Sequence, residues 1–514
     1  MRHEIIVTAQ QMQAIESAMF AAGLPIPALM EKVAGRIAHW LVRHFPREQV
    51  ARVGFIVGPG HNGGDALVVA RELFHHGYEV LIWQPLVKGK ELTAQHQAYI
   101  SYLGAVATVD STALCECDLI VDGGFGVGLT RALSDEFAAG IDAINACDTP
   151  VVSIDLPSGL ETDTGAVMGT VIRADHTLCL GLWKQGLLQD QAQPWIGQLH
   201  LIDFDIPAAS LETVLSAAVT PRCITDTAAI ARLPLPRSPV AHKYKVGHAL
   251  LIVGSRQYGG AALLAGQGAI ASGVGMLTLI VPESLRLTLL SHMPEALILG
   301  AEETATGAIA TLPQTVALAD YDVVACGPGL TLEAAPVIHQ VLQSQRPAIF
   351  DADGLNIIAQ DNPQALLRQR QGTTLLTPHP GEFRRLFPDH LSVAATPSVA
   401  ASAAAQTTGC TIVLKGAMST VAHADGQVWI NAASSPALAR GGSGDVLTGL
   451  VAGLAAQLCL PDPAADLLTA AIAAVWWHAQ TGQHLANVAT ELGCPASQLA
   501  ATLPFVLAQK LSQQ

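Results

Sequence analysis

Short apolar runs rich in valine, isoleucine and leucine recur along the chain. Each closes on glycine, asparagine or aspartate before a longer stretch with helical spacing. Residues 53–57 form one such run. Gly58 to Asp65 follow, then a helical stretch over 66–76 that Gly77 ends, then a second run over 79–83. Runs at 119–122 and 151–155 repeat the pattern, as do 249–253, 375–377 and 411–414 in the second half. Buried strands alternating with helices predict α/β architecture with mainly parallel sheets. Between residues 206 and 240 the strand pattern lapses and Pro221, Pro234, Pro236 and Pro239 accumulate. The boundary is therefore expected near residue 220, giving two domains, 1–220 and 221–514.

A length of 514 residues exceeds one ordinary core, in keeping with two domains. Half the residues are hydrophobic but only 5% are aromatic, so small aliphatic side chains must fill the cores. A formal net charge of −15 without any Lys/Arg run excludes a nucleic-acid-binding face, which would have to be basic. The nine cysteines are scattered, the nearest pair being Cys115-Glu116-Cys117, with no CxxC or zinc spacing. They read as reduced core thiols of a cytoplasmic protein. Met1-Arg2-His3-Glu4 opens no leader, and the apolar run over 467–477 is too short to span a bilayer, so no membrane association is expected.

The most informative stretch is Arg440-Gly441-Gly442-Ser443-Gly444-Asp445, which feeds an apolar run over 446–458. Glycine-rich backbone at a helix start suits an anion, and an aspartate there can act as a base. On this stretch alone, a loop that merely closes a helix is an equal reading. Upstream, the run at 375–377 leads into Pro378-His379-Pro380-Gly381-Glu382, and the run at 411–414 ends in Lys415-Gly416. In the first half, Gly58-Pro59-Gly60-His61-Asn62-Gly63-Gly64-Asp65, Asp122-Gly123-Gly124 and Asp155-Leu156-Pro157-Ser158-Gly159 follow three strands. Parallel sheets bind ligands at such carboxyl ends.

The second half resembles the ribokinase-like branch that repairs hydrated nicotinamide cofactors. The match rests on residues 248–255 with Tyr258-Gly259-Gly260-Ala261, Cys326-Gly327-Pro328-Gly329-Leu330, Phe350 to Asn356, Thr377 to Glu382, Lys415-Gly416-Ala417 and Gly441 to Asp445. Residues 5–205 resemble the epimerase domain of the same pathway, through the loop at Gly58 to Arg71 and the Asp155 to Gly159 motif. The order of the halves is similar to that of the bifunctional NAD(P)H-hydrate repair family. The resemblance implies a Rossmann-like three-layer αβα domain followed by a ribokinase-like αβα domain. It also implies epimerisation of R- and S-NAD(P)HX and dehydration of the S form with ADP, releasing AMP and phosphate.

By the same resemblance, Asp155 is the acid/base of epimerisation, and a potassium ion lies near Asn62, Asp122 and Ser158. His61, Asn62, Gly63, Gly64 and Asp65 would hold the substrate together with Gly126, Val127, Gly128, Leu129, Thr130, Arg131 and Ala132. Lys184 reads equally as a pocket residue or a solvated one. In the second domain Asp445 would deprotonate the hydroxyl, with Gly329 and His379 on the hydrated cofactor. Lys415, Gly416, Ala417, Met418, Ser419 and Gly444 would touch the nucleotide, and Glu382 would organise magnesium. Asp351 and Asp353 stay open between metal organisation and strand-end turns. His61 stands where the family has Asn, Ala66 where it has Gly, and Met418 where a glycine is common. Related second domains often form homo-oligomers, but no interface is readable in these residues.

Overall fold

A computed structural model describes residues 2–86, 89–133, 135–216, 220–394, 396–459 and 467–513. The chain divides into two compact units, Met1–Pro221 and Arg222–Gln514.

The first unit opens with helices α1 (Ala9–Ala21) and α2 (Ile26–His44). Strand β1 (Arg52–Val57) then runs into α3 (His61–His75). Strands β2 (Glu79–Trp83), β3 (Val106–Thr108), β4 (Leu119–Gly123), β5 (Val151–Ile154), β6 (His176–Leu180) and β7 (Gln198–Ile202) follow. They form one parallel sheet in the order β3-β2-β1-β4-β5-β6-β7. The reversal of order between β1 and β4 is the place where doubly wound sheets open a crevice. Alternate residues feed two cores. Val53, Phe55, Val57, Leu119, Val121, Val152 and Ile154 enter one cluster, while Ile56, Ile120 and Val151 enter another. The period of two along buried strands thus builds three layers.

The second unit has a ten-stranded sheet. Its strands are β8 (Arg222–Cys223), β9 (His248–Ile252), β10 (Met276–Pro282), β11 (Leu297–Ala301), β12 (Val323–Cys326), β13 (Ala348–Phe350), β14 (Thr374–Leu376), β15 (Thr411–Leu414), β16 (Thr420–Ala422) and β17 (Val428–Ile430). The order is β8-β17-β16-β15-β14-β13-β12-β9-β10-β11, and only the β15-β16-β17 pairs are antiparallel. Helices α4 (Gly259–Ala271), α5 (Pro380–Leu386), α6 (Ser443–Leu458) and α7 (Leu467–Ala489) carry the residues that matter below. Helices α4 and α6 meet backbone to backbone. A Cβ at Gly449 would sit 1.8 Å from the Ala265 carbonyl oxygen, and one at Gly268 would sit 2.2 Å from that of Val446.

Several expectations change. Helix α3 begins at His61 rather than Ala66, because Gly60 is its N-cap, so Gly63, Gly64 and Asp65 lie inside the helix. Within the supposedly patternless 206–240 segment, Arg222 and Cys223 pair with Trp429 and Ile430; two residues are too few to show a period. The run over 467–477 is part of a 23-residue helix. Its polar second half includes His478, Gln480 and Gln483, and among the described residues no helix is long and apolar enough to cross a membrane. Cys115 and Cys147 form a disulfide, with Cα atoms 5.8 Å apart, while the seven other cysteines are buried. The partners are 32 residues apart and converge only through the fold, which local spacing could not reveal.

Gly449→Ala should destabilise the second unit by about 2 kcal/mol, because the added methyl must displace backbone. Urea unfolding checks this as a lowered midpoint for that unit.

Candidate active sites

In the first unit, glycines let the loops after β1 and β4 touch. A Cβ at Gly58 would lie 1.6 Å from the Gly124 carbonyl oxygen, and one at Gly63 would lie 2.0 Å from that of Gly58. The close approach gathers Asn62, Gly126 and Asp155. A Cβ at Gly126 would fall 2.8 Å from Asp155 Oδ2 and 3.5 Å from Asn62 Oδ1. Asp155 itself is buried and holds φ +68°, a left-handed conformation that costs an aspartate about 1 kcal/mol or more. Its N–H donates to the Leu178 carbonyl at 2.9 Å, so the neighbouring strand enforces the bend.

Lys184 is 1% exposed and places Nζ 2.5 Å from Asp155 Oδ1, while also donating to the Leu180 carbonyl. The solvated reading of Lys184 is therefore overturned. Burial opposes the ammonium charge, but Asp155 and Cys179 beside it raise the lysine above its usual range. Asp122 is fully buried and accepts four hydrogen bonds from neutral donors. Gly124 N–H (3.0 Å) and Ser158 Oγ (2.6 Å) meet one oxygen; Ser153 Oγ and Ser158 N–H, both at 2.8 Å, meet the other. Burial raises its carboxyl, against those four bonds.

A cavity of about 660 Å³ opens over these groups, lined by Asn62, Asp65, Gly126, Asp155 and Lys184 among others. Many lining residues were not foreseen as such, and three of them bear on the chemistry. Glu16 comes from α1, and burial followed by the negative charge of Asp155 pushes its carboxyl up to about 7, against Lys184 and Lys90. Phe20 is a second. Lys90 is a third, with Nζ 3.1 Å from the His61 ring; burial and this ammonium lower the His61 imidazole, so it stays neutral near pH 7. Asp65 is held well above the carboxylate range by burial, then by Asp155 and Glu16. Gly63 and Gly64 are buried and do not line the cavity, and neither do Leu129 to Ala132. Leu129 packs into the core, while Thr130, Arg131 and Ala132 are exposed.

In the second unit a similar pair stands at the sheet's carboxyl edge. Asp351, just past β13, is 2% exposed. It takes Lys415 Nζ at 2.8 Å on Oδ1 and Thr448 Oγ1 at 2.7 Å on Oδ2. Lys415 is raised above its usual range: burial opposes its charge, but Asp351, then Glu382, and Asp445 favour it. A Cβ at Gly444 would lie 3.4 Å from Lys415 Nζ, so the first turn of α6 sits over the pair. Burial, then Asp351 and Asp353 against Lys415, push Asp445 up to about 7. Asp353 instead accepts from Thr331 N–H at 2.9 Å, the strand-end turn reading.

His478 from α7 is buried, with Nε2 3.0 Å from the Ser443 carbonyl. A carbonyl only accepts, so Nε2 carries the proton and anchors the start of α6. Burial lowers this imidazole to about 4. His379 caps α5, accepting from Gly381 N–H, while its own N–H donates to Glu382 Oε2 at 2.9 Å. Glu382 Oε1 has a 3.5 Å approach from His379 Nε2. Met418 is buried, and Gly329 holds φ +67°.

Two α/β units, each with a buried aspartate–lysine pair beside a glycine-rich helix start, define a two-site enzyme for nucleotide-type ligands. Residues 249–505 match the family described as NAD(P)H-hydrate dehydratase, and residues 27–186 match that of the YjeF-related protein N-terminus. The chain is 52% identical over 507 residues to the bifunctional NAD(P)H-hydrate repair enzyme Nnr of Thermosynechococcus vestitus, covering 99% of this chain and 98% of that one. It is 47% identical to the Synechocystis enzyme of the same name, over 96% and 93% of the two chains. The chain belongs to the family of bifunctional NAD(P)H-hydrate repair enzymes. An ADP/ATP-dependent NAD(P)H-hydrate dehydratase from Bacillus subtilis, co-crystallised with ATP and magnesium, is 31% identical with a TM-score of 0.47. The match covers 56% of this chain and 98% of that one.

Lys184→Met would leave Asp155 buried and unpaired, and should cost the first unit about 3 kcal/mol of unfolding free energy at pH 8. An unchanged urea midpoint for that unit would show that the pair does not stabilise the fold.

Proposed function

We propose that Met1–Pro221 interconverts R- and S-NAD(P)HX, with Asp155 moving the proton. Arg222–Gln514 dehydrates the S form with ADP as phosphoryl donor. The observation that carries the reading is the placement of Asp445 in the first turn of α6, over the Lys415–Asp351 pair, with its carboxyl near 7. A general base is most effective when its pKa lies near the working pH.

Hydroxide is a poor leaving group, and phosphate is a good one. Asp445 takes the proton of the ring hydroxyl as that oxygen attacks the terminal phosphorus of ADP, and AMP leaves. The phosphate ester then departs with the neighbouring ring proton, restoring the double bond. Backbone amides from Gly442 to Gly444 and the Lys415 ammonium offset the charge on the moving phosphoryl group. Lys415 to Ser419 hold the nucleotide, and Gly329 and His379 hold the hydrated ring.

Glu382 fits a magnesium ion. Oε2 is engaged by the helix cap, while among the described residues Oε1 has the 3.5 Å approach of His379, and one carboxylate with phosphate oxygens suits this cation. Magnesium, when bound, neutralises phosphate charge. Asn62, Asp122 and Ser158 fit potassium in donor type and in charge, since Asp122 is buried among neutral donors. Four bonds fill its lone-pair sites, so direct contact with Asp122 would require the Ser158 hydroxyl to turn. In the first unit, Asn62 and the α3 start with Lys90 hold the substrate. We infer a cytoplasmic location, where the dinucleotide pool supplies both substrates.

The test incubates the full chain with mixed R- and S-NADHX, magnesium, potassium and ADP, and follows dihydronicotinamide absorbance. Recovery beyond the S fraction supports both activities; recovery that stops there removes the epimerase reading, and none removes the dehydratase reading, leaving epimerisation to be read directly from R/S exchange. Asp445→Ala should lower ADP-dependent recovery about a thousand-fold. In the unmutated chain kcat/KM should rise as pH passes about 7, because the base must be ionised. Asp351→Asn removes a negative neighbour, so this rise should move to lower pH.

A further inference from the structure

Helix α1 lies outside the residues matched by the first unit's family model, which begin at residue 27. Yet it walls the cavity. Gln13, Glu16, Ser17 and Phe20 line it, at spacings of three, four and seven residues that define one helix face. The adjoining face, Met12, Ile15 and Met19, is buried in the core, so the helix cannot rotate without exposing it. Its start is fixed as well. Thr8 and Gln11 exchange a capping box, and Ala9 N–H donates to Asp163 at 2.6 Å. Glu16 is the one acid in this helix, and it lies on the cavity face.

The chemistry calls for such a group. The hydrated carbon carries both the hydroxyl and the ring nitrogen, so inverting it requires loss of the hydroxyl and return of water to the opposite face. Loss needs a proton delivered to oxygen, and return needs one removed. Asp155, paired with the Lys184 ammonium, suits removal. We propose that Glu16 is the second catalytic residue of the epimerase site, delivering the proton that Asp155 does not. This rests on the epimerase reading above.

The Glu16 carboxyl gives its proton to the hydroxyl and the carbon–oxygen bond breaks. The nitrogen lone pair forms a carbon–nitrogen double bond, and water leaves. Water from the other face then bonds to carbon, the nitrogen regains its pair, and Asp155 takes the released proton. The net transfer is one proton from Glu16 to Asp155, reset through solvent, and the reverse reaction exchanges the roles. The charged groups around Glu16 are Lys184 and Asp155 at the sheet edge, Lys90, and Asp65 from α3. Burial, then Asp155 and Glu16, raise the Asp65 carboxyl well above its ordinary range, while burial and Asp155 push Glu16 up to about 7.

The test uses the full chain without ADP, so that dehydration is silent, and measures R/S exchange by NMR. Glu16→Gln should lower kcat about a hundred-fold or more, while KM changes far less, and Glu16→Asp should recover part of the loss. In the unmutated chain kcat should fall as pH rises through about 7, where the donor ionises, and this limb should vanish in Glu16→Gln. Exchange within a few-fold of the native rate in Glu16→Gln overturns the proposal, as does a rise in KM alone. A pH profile flat across 7 in the unmutated chain overturns it without any variant, should the variant not fold. If the unmutated chain exchanges no epimers, the epimerase reading itself falls, and the role of Glu16 with it.

Discussion

Burying a carboxylate is costly unless a cation meets it, and this chain meets that constraint twice with a single lysine in each unit. Lys184 neutralises Asp155, and Lys415 neutralises Asp351. Among the described residues, neither unit supplies a second buried ammonium for the acids alongside. Glu16 and Asp65 in one unit and Asp445 in the other therefore keep their protons to higher pH than free carboxyls do. The ion pair fixes one acid, and the shortage of positive charge around it poises the next.

Close backbone approach sets where these groups stand. Gly449 and Gly268 let α6 settle onto α4, which carries the first turn of α6 to Asp351, where Thr448 binds. His478 then pins the carbonyl of Ser443 from behind. In the first unit Gly58 and Gly63 perform the same service where the loops after β1 and β4 meet at the start of α3, which carries Asn62. The strained backbone of Asp155 is tolerated because β6 holds its amide.

The strands were legible because buried parallel strands read as continuous apolar runs, and the site motifs because they follow those runs. Asp155 and Lys415 stand just past strands, Asp122 lies near the end of β4 and Asp445 lies in the first turn of α6, as the spacing suggests. What the sequence hid was mostly tertiary. Glu16 sits in a helix whose only local signal is a capping box, and its meaning depends on Asp155 and Lys184, more than a hundred residues away. The 32-residue separation of Cys115 and Cys147 left no spacing to notice, and the two-residue strand at Arg222 no period. The starts of α3 and α6 were read too late because glycine signals a loop, although these glycines lie within the first turns.

The state of Lys184 also bears on the enzyme's durability. A carbon bearing both hydroxyl and nitrogen can open to an aldehyde, and a neutral lysine amine would condense with it. Lys184 is instead held as an ammonium by Asp155 and tethered to the Leu180 carbonyl. An ammonium has no lone pair to offer, so the amine held against Asp155 in this cavity is closed to that electrophile. The same ion pair that makes the aspartate tolerable thereby protects the repair enzyme from being alkylated by the damaged molecules it handles.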